Sequence, residues 1–174
     1  TAWLTRELQT LGLHARCHRI SPRLLRATLP PEQHRHPRSN VLGQLAVPGA
    51  TKTLHFNAHY DVVPVSGRWR HGSPFSGTVA GGWIYGRGTA DMKGSIASLL
   101  LALQALRATG TAPRLNLEVS FTADEETDSA LGAGWLVRHA PIQPDYVVVM
   151  EGGEGRNVCC GHNGTLWLEV PSVG

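Results

Sequence analysis

The chain has 174 residues, of which 41% are hydrophobic and 17% are charged, and its formal net charge is +3. This length suits about one domain with a real core, and the composition is that of an ordinary globular protein. No apolar stretch approaches the length of a membrane-spanning helix, so no membrane partner is expected. The densest basic stretch, HRHPR at 34–38, lacks interleaved aromatic residues, so no nucleic-acid partner is expected either.

In chain order, the first part of the sequence predicts one helix and three strands. The helix runs from Ala2 to about Leu11, and the strands lie at 15–20, 24–29 and 40–46. A surface loop rich in glycine, serine and proline is expected at 67–82.

The second part predicts a buried core. Strands are expected at 54–58, at 115–121, where apolar and polar residues alternate, and at 145–150, whose apolar run is typical of a central strand. A heavily buried helix is expected from about Lys93 to Ala108, because leucine, isoleucine and alanine cover most of its surface.

The three cysteines, Cys17, Cys159 and Cys160, are odd in number and lack the spacing of a zinc finger. A reduced, cytoplasmic setting is therefore favoured over a disulfide framework. The adjacent pair Cys159–Cys160 is interpreted as part of a strand core rather than as a redox couple.

Each strand of the second part is followed by a residue that can bind a metal. His59 and Asp61 follow the first, the acids at 124–126 follow the second, and Glu151 follows the third. In an extended backbone His59 and Asp61 point to the same side, so the carboxylate can steady the imidazole or share its metal. The carboxyl ends of parallel strands are where ligands bind in open α/β sheets. A shared metal site is therefore favoured over a series of capped turns.

The stretch YGRGTADMKG at 85–94 matches neither the dinucleotide pattern, which needs a third glycine, nor the P-loop, which needs Ser or Thr after the lysine. Two interpretations remain open. The glycines can let the backbone approach closely while Asp91 points into the site, or Asp91 can be only the N-cap of the following helix.

In this order, HYDVVP at 59–64, YGRGTADMKG, DEET at 124–127 and an apolar strand ending in Glu151 resemble the dinuclear-zinc amidohydrolase and exopeptidase family. Acetylornithine deacetylase, succinyl-diaminopimelate desuccinylase, aminoacylase and bacterial glutamate carboxypeptidase belong to this family. The resemblance covers nearly the whole chain. It implies an α/β fold with a mixed, largely parallel sheet and helices on both faces, as in the catalytic domain of zinc exopeptidases.

The resemblance also implies a role for each site residue: His59 and Glu151 as ligands of one metal, Asp61 orienting His59, Asp91 bridging two metals, Glu126 binding the second and Glu125 acting as general base. Adjacent glutamates cannot point the same way in an extended backbone, which agrees with one ligand and one base. The mixed imidazole and carboxylate set suits two zinc ions, with cobalt or manganese able to substitute. A cis peptide bond between Asp91 and Met92 is implied as well.

By the same resemblance, residues 1–163 form the first part of the catalytic domain and residues 164–174 the first strand of a lid or dimerisation domain. Most of that lid and the family's last histidine ligand are expected beyond Gly174. We therefore expect a homodimer formed through the lid, and expect this chain alone to be inactive and to bind at most one metal tightly.

The function predicted on this basis is a metal-dependent hydrolase of an amide bond. N-acyl-amino-acid deacylation, of the deacetylase or desuccinylase kind, is favoured, with a small N-acyl amino acid or short peptide as substrate. A carboxypeptidase or dipeptidase with the same site is the first alternative. A catalytically silent binding or assembly protein on the same fold is the alternative from another class.

Overall fold

The computed structural model describes residues 1–152 and 159–160, and the architecture is that of these residues. There are seven strands: β1 (His14–Arg19), β2 (Ser39–Leu45), β3 (Thr53–His59), β4 (Thr78–Ala80), β5 (Trp83–Tyr85), β6 (Asn116–Thr122) and β7 (Tyr146–Val149). There are four α-helices: α1 (Ala2–Thr10), α2 (Pro22–Thr28), α3 (Gly94–Ala108) and α4 (Ala133–His139).

Five of the strands form one sheet in the order β1-β2-β6-β3-β7, and β4 and β5 form a separate hairpin. β3 pairs in parallel with both β6 and β7, whereas β2 pairs antiparallel with both β1 and β6. The predicted mixed sheet is confirmed. Because β3, β6 and β7 are parallel, their carboxyl ends lie along one edge of the sheet.

One face of the sheet packs against α1 and α3. Phe121 and Val119 of β6 are fully buried in the same cluster as Leu8 of α1 and Leu99 of α3. Gly43 of β2 allows this packing, because a Cβ atom at that position would lie 2.9 Å from Cδ1 of Leu8. The Leu8 side chain of α1 therefore packs directly on the backbone of β2 at this point.

The opposite face carries polar side chains and is covered by α2 and α4. Leu25 of α2 packs in a second apolar cluster with Leu131 and with Trp135 of α4. Leu136 of α4 lines a cavity of about 280 Å³ together with His55 of β3. The prediction of helices on both faces is confirmed.

The predicted strand at 24–29 is wrong, because these residues lie in α2. Ser21 is the N-cap and its hydroxyl oxygen accepts a hydrogen bond from the backbone N–H of Leu24, while Pro22 occupies the first turn. Ser followed by Pro is a helix start, and these two residues decide between helix and strand for a short apolar run.

Two predictions of burial are also wrong. β7 is an edge strand, and Val147 and Val149 are 55% and 59% exposed, so 145–150 is not a central strand among the described residues. Helix α3 buries one face only, since Leu101 is 64% exposed.

The remaining differences concern short segments. Cys159 and Cys160 are exposed and lie outside any strand, so they are not strand core. The predicted loop at 67–82 contains β4. The predicted lid strand at 164–174 lies outside the described residues. Within them, every helix is too short or too polar to cross a membrane.

Candidate metal centre

His59, the last residue of β3, is the centre of the candidate site. Its side chain is almost fully buried, and its backbone N–H donates to Sδ of Met92 at 3.1 Å. Its Nε2 atom lies 2.9 Å from Oδ1 of Asp91 and 3.1 Å from Oε2 of Glu151. Two carboxylates thus face the same ring nitrogen.

The other ring nitrogen of His59 faces Asp61. Nδ1 lies 3.4 Å from Oδ1 of Asp61 and 3.1 Å from its carbonyl oxygen. The Asp61 carboxylate also accepts the backbone N–H groups of Glu125 and Glu126, at 3.3 and 3.2 Å. Asp61 therefore joins the end of β3 to the acidic turn after β6 and lies where a residue orienting the imidazole is needed.

Asp91 lies in the turn between β5 and α3. Its peptide bond to Met92 is cis, as the resemblance implies, and the Met92 side chain is buried in the core. Asp91 has a side chain that is 62% exposed and points its carboxylate at His59, whereas the N-cap of α3 is Lys93, so Asp91 is not the N-cap of this helix. Gly88 precedes it with φ of 80°, and a Cβ there would lie 2.4 Å from Cγ1 of Val62. Only glycine lets this turn approach the segment after His59.

Glu125 and Glu126 lie in a 3-10 turn rather than in the extended backbone from which their opposite directions were predicted. Asp124 before them has φ of 73° and is fully buried. Oε2 of Glu125 is 3.8 Å from Nε2 of His59, so this carboxylate lies beside the nitrogen that Asp91 and Glu151 also face.

Three of the four predicted ligands come together. His59, Asp91 and Glu151 offer one nitrogen and two oxygen atoms that all lie within 4.8 Å of one another, the one such group in the described part of the chain. Glu126 does not belong to it. A nitrogen and carboxylate-oxygen set of this kind fits zinc, and also cobalt or manganese.

The acids around His59 shift its protonation. Burial lowers the pKa of His59, but Asp61, Asp91, Glu125 and Glu151 more than offset this, so the pKa is raised overall. Burial raises the pKa of Glu125, and His59 opposes this shift. Burial also raises the pKa of Glu126, with Asp91 adding to the effect. The raised pKa values show that the site carries more negative charge than the cations near it neutralise.

Sequence reasoning missed the residues that hold the acidic turn. The buried Asp124 carboxylate accepts from Nε of Arg38 at 3.0 Å, from the Thr127 hydroxyl at 2.6 Å and from the backbone N–H of Leu131 at 3.0 Å. The first acid of a DEE run is a possible signal, but Arg38 lies 86 positions away, in the basic stretch HRHPR at 34–38.

Lys93 is a second residue that the sequence did not single out. Partial burial lowers the pKa of Lys93, while Asp61, Asp91 and Glu126 act in the opposite direction. A cation therefore lies among the acids of the site.

Known proteins share these motifs and this fold. A sequence profile of peptidase family M20/M25/M40 matches residues 55–161, which is more than half of the chain. Succinyl-diaminopimelate desuccinylase from Alkalilimnicola ehrlichii is 44% identical over 84 residues, 47% of this chain and 22% of that protein. The enzyme of the same name from Cereibacter sphaeroides is 38% identical over 122 residues, 69% of this chain and 29% of that protein.

Solved structures agree. An M20 family metallo-carboxypeptidase from Sulfolobus solfataricus superimposes with a TM-score of 0.68 at 25% identity, covering 87% of this chain and 32% of that one. Human carnosine dipeptidase 1 does so with a TM-score of 0.66 at 26% identity, covering 85% and 31%. The chain thus spans less than a third of the length of these relatives. On the profile match and the shared fold, the chain belongs to peptidase family M20/M25/M40.

Proposed function

We propose that this chain carries the metal-binding part of a metal-dependent hydrolase of amide bonds. The observation that carries the proposal is the convergence of Asp91 and Glu151 on Nε2 of the buried His59, at 2.9 and 3.1 Å. Carboxylates gathered around one nitrogen atom repel one another, and a bound metal cation would offset that repulsion. Membership of a peptidase family supports hydrolysis as the chemistry.

In this proposal His59, Asp91 and Glu151 would hold one metal, and Asp91 and Glu126 would contribute ligands to a second. Such ions, when bound, polarise the scissile carbonyl group and lower the pKa of water. Asp61 fixes the ring of His59 through Nδ1, so that Nε2 stays directed at the ligand group.

Glu125 is the proposed general base. Its Oε2 lies near the ligand group without being part of it, so it is available to take a proton from water and to pass it to the leaving nitrogen. The hydrogen bond from its backbone N–H to Asp61 fixes its position relative to His59.

The favoured substrate is an N-acyl amino acid, which matches the desuccinylase names of the two curated relatives described above. A dipeptide or a peptide cleaved at its carboxyl end is the second candidate, and it is favoured by the dipeptidase and carboxypeptidase among the similar structures. Both use the same ligands and the same base, so the choice depends on the substrate pocket.

Two matched variants test the roles of the adjacent glutamates. In the complete gene product, Glu125→Gln should keep the metal and lower turnover by about 10²–10⁴-fold, the usual contribution of general acid–base catalysis. Glu126→Gln should first lose metal, measured by elemental analysis after dialysis. If Glu125→Gln keeps most of its activity, the two roles must be exchanged or abandoned.

Metal analysis of the wild-type protein, joined to hydrolysis of N-acyl amino acids and dipeptides, decides between an enzyme and a silent binding protein. Hydrolysis that disappears with a chelator and returns with zinc, cobalt or manganese supports the proposal. Metal binding without hydrolysis of any amide would favour the silent alternative.

A further inference from the structure

A cavity of about 510 Å³ adjoins the candidate metal centre, because Asp61 and Glu126 are part of its lining. Its wall also contains apolar side chains that are left in water, among them Val63, which is 37% exposed, and Phe75, which is 70% exposed. The loop 32–38, together with Tyr60 and Thr127, supplies the rest of the polar lining. A ligand in this cavity would therefore meet acids, an apolar wall and the cations of that loop.

The two arginines of the loop differ in what they are free to bind. All three guanidinium nitrogens of Arg38 are occupied: Nε by Asp124 at 3.0 Å, Nη2 by Oε1 of Gln33 at 2.9 Å and Nη1 by the carbonyl of His36 at 3.0 Å. Its side chain is 14% exposed. Arg38 therefore holds the loop against the acidic turn, with three of its five N–H donors engaged and little of its side chain exposed.

Arg35 is exposed, and its Nε donates to Nε2 of His36 at 3.1 Å. Within residues 1–152 and 159–160, no carboxylate lies within ion-pairing distance of Arg35, although Glu32 lines the same cavity. Arg35 thus brings an uncompensated cation to the cavity wall.

We infer that Arg35 is a specificity-determining residue that pairs with a carboxylate group of the substrate in this cavity. The inference rests on the proposed amide-hydrolase function. A planar guanidinium group matches a carboxylate with two parallel hydrogen bonds, and the loop that carries it is fixed by Arg38. The apolar wall formed by Val63 and Phe75 suits the carbon chain of the substrate.

A substrate can bring this carboxylate on its acyl group or on its amino-acid part. Four compounds separate the two sources. They are an N-succinyl amino acid, an N-acetyl amino acid, and the same two compounds with the α-carboxylate replaced by a carboxamide. Steady-state rates are measured on the complete gene product with its metals, for the wild type, Arg35→Gln and Arg35→Lys. Arg23→Gln is the matched control, because Arg23 is an exposed arginine of α2 and its loss changes the net charge equally.

Arg35→Gln should lower kcat/KM about tenfold for the compounds that carry the recognised carboxylate, mainly through KM, and leave the others unchanged. A loss confined to the two succinyl compounds assigns Arg35 to the acyl group. A loss confined to the two compounds with a free α-carboxylate assigns Arg35 to the amino-acid part. Arg35→Lys should recover part of the loss, and Arg23→Gln should cause none. Equal effects on charged and neutral compounds, or equal effects of Arg23→Gln, would overturn the inference.

Calorimetric binding of the same compounds separates this inference from the proposed function. Binding is measured to the Glu125→Gln protein with and without Arg35→Gln. If no compound is hydrolysed by the wild type but a carboxylate compound binds about tenfold more weakly without Arg35, the inference stands and the proposed reaction fails. If binding is the same with and without Arg35, the inference fails whatever the reaction is.

Discussion

In β6, the middle strand of the five-stranded sheet, both faces are buried, but they are built from opposite chemistry. In β6, Leu117, Val119 and Phe121 point to the face covered by α1 and α3, and Glu118 and Ser120 point to the other. A strand of alternating apolar and polar residues ordinarily turns its polar side to water. In β6 both sides are shielded, so its polar side chains have to form their hydrogen bonds within the protein.

The polar face satisfies them across neighbouring strands. His55 of β3 lies 3.1 Å from Oε2 of Glu118 through Nδ1 and 2.8 Å from the Ser120 hydroxyl through Nε2. Gln44 of β2 donates to Glu118, and Asn57 of β3 donates to Ser120. By alternation His59 follows His55 and Asn57 on this face. The apolar face therefore supplies most of the stability, whereas the polar face leads to the site.

The largest expected loss of stability lies on the apolar face. Phe121→Ala removes a fully buried ring and should lower the free energy of unfolding by about 3–5 kcal/mol. Leu101→Ala on the exposed side of α3 is the matched control and should change it by less than about 0.5 kcal/mol. Urea unfolding followed by circular dichroism measures both. A loss at Leu101 as large as that at Phe121 would show that the exposed side of α3 is covered in solution.

A smaller loss is expected on the polar face, and it should depend on its partner. Glu118→Leu leaves Nδ1 of His55 and the Gln44 amide without their carboxylate and should cost about 1–3 kcal/mol. Adding His55→Leu removes one orphaned group, so the double variant should be more stable than the sum of the single losses predicts. If the losses measured by urea unfolding were strictly additive, Glu118 and His55 would contribute to stability independently, and the hydrogen bond between them would have no effect.

The sequence predicted the parts of the site that depend on local patterns. His59, the acids at 124–126 and Glu151 were found because each follows an apolar strand, and parallel neighbours end at one edge. The structure brings His59, Asp91 and Glu151 together. The assignment of ligands, bridge and base stays a prediction, and Glu126 lies outside the group of three.

What the sequence could not predict depends on contacts between distant segments. The prediction of a strand at 24–29 was wrong because a short apolar run fits a helix as well as a strand. The helix start at Ser21 and Pro22 decides between the two. The edge position of β7 depends on which strands pair, which periodicity does not contain. The ion pair of Arg38 and Asp124 joins two loops that only the folded sheet brings together.

Near the candidate metal centre, a lower pH should stabilise the metal-free fold but weaken metal binding. The raised pKa of His59 means that its ion pairs stabilise the metal-free fold fully below about pH 6.5, and that this stabilisation is lost as pH rises through the raised value. Zinc needs the neutral imidazole, so its affinity should rise over the same interval, by up to about tenfold per pH unit. His59→Gln should remove both dependences.

Unfolding and zinc titrations at several pH values measure the two trends, with His139→Gln as the control for an exposed histidine outside the site. If the metal-free protein with His59 intact became more stable as pH rose through this interval, the ion pairs of His59 would not stabilise the fold.

The smallest effect is expected where a polar atom enters the apolar face. The ring of Tyr60 packs against the apolar core, and its hydroxyl donates to the carbonyl of Ser39 at 2.6 Å. Burial raises the pKa of Tyr60 to about 12. Tyr60→Phe keeps the ring but leaves that carbonyl unpaired, so it should cost only about 1 kcal/mol.

The raised pKa stabilises the fold below about pH 10, and this contribution disappears as pH rises through the value near 12. In an ultraviolet titration of the folded protein, Tyr60 should therefore ionise late, and the late step should be absent from Tyr60→Phe but present in Tyr85→Phe. Ionisation of all three tyrosines near pH 10 while the protein is still folded would show that this hydroxyl reaches water and that the apolar face is open at its edge.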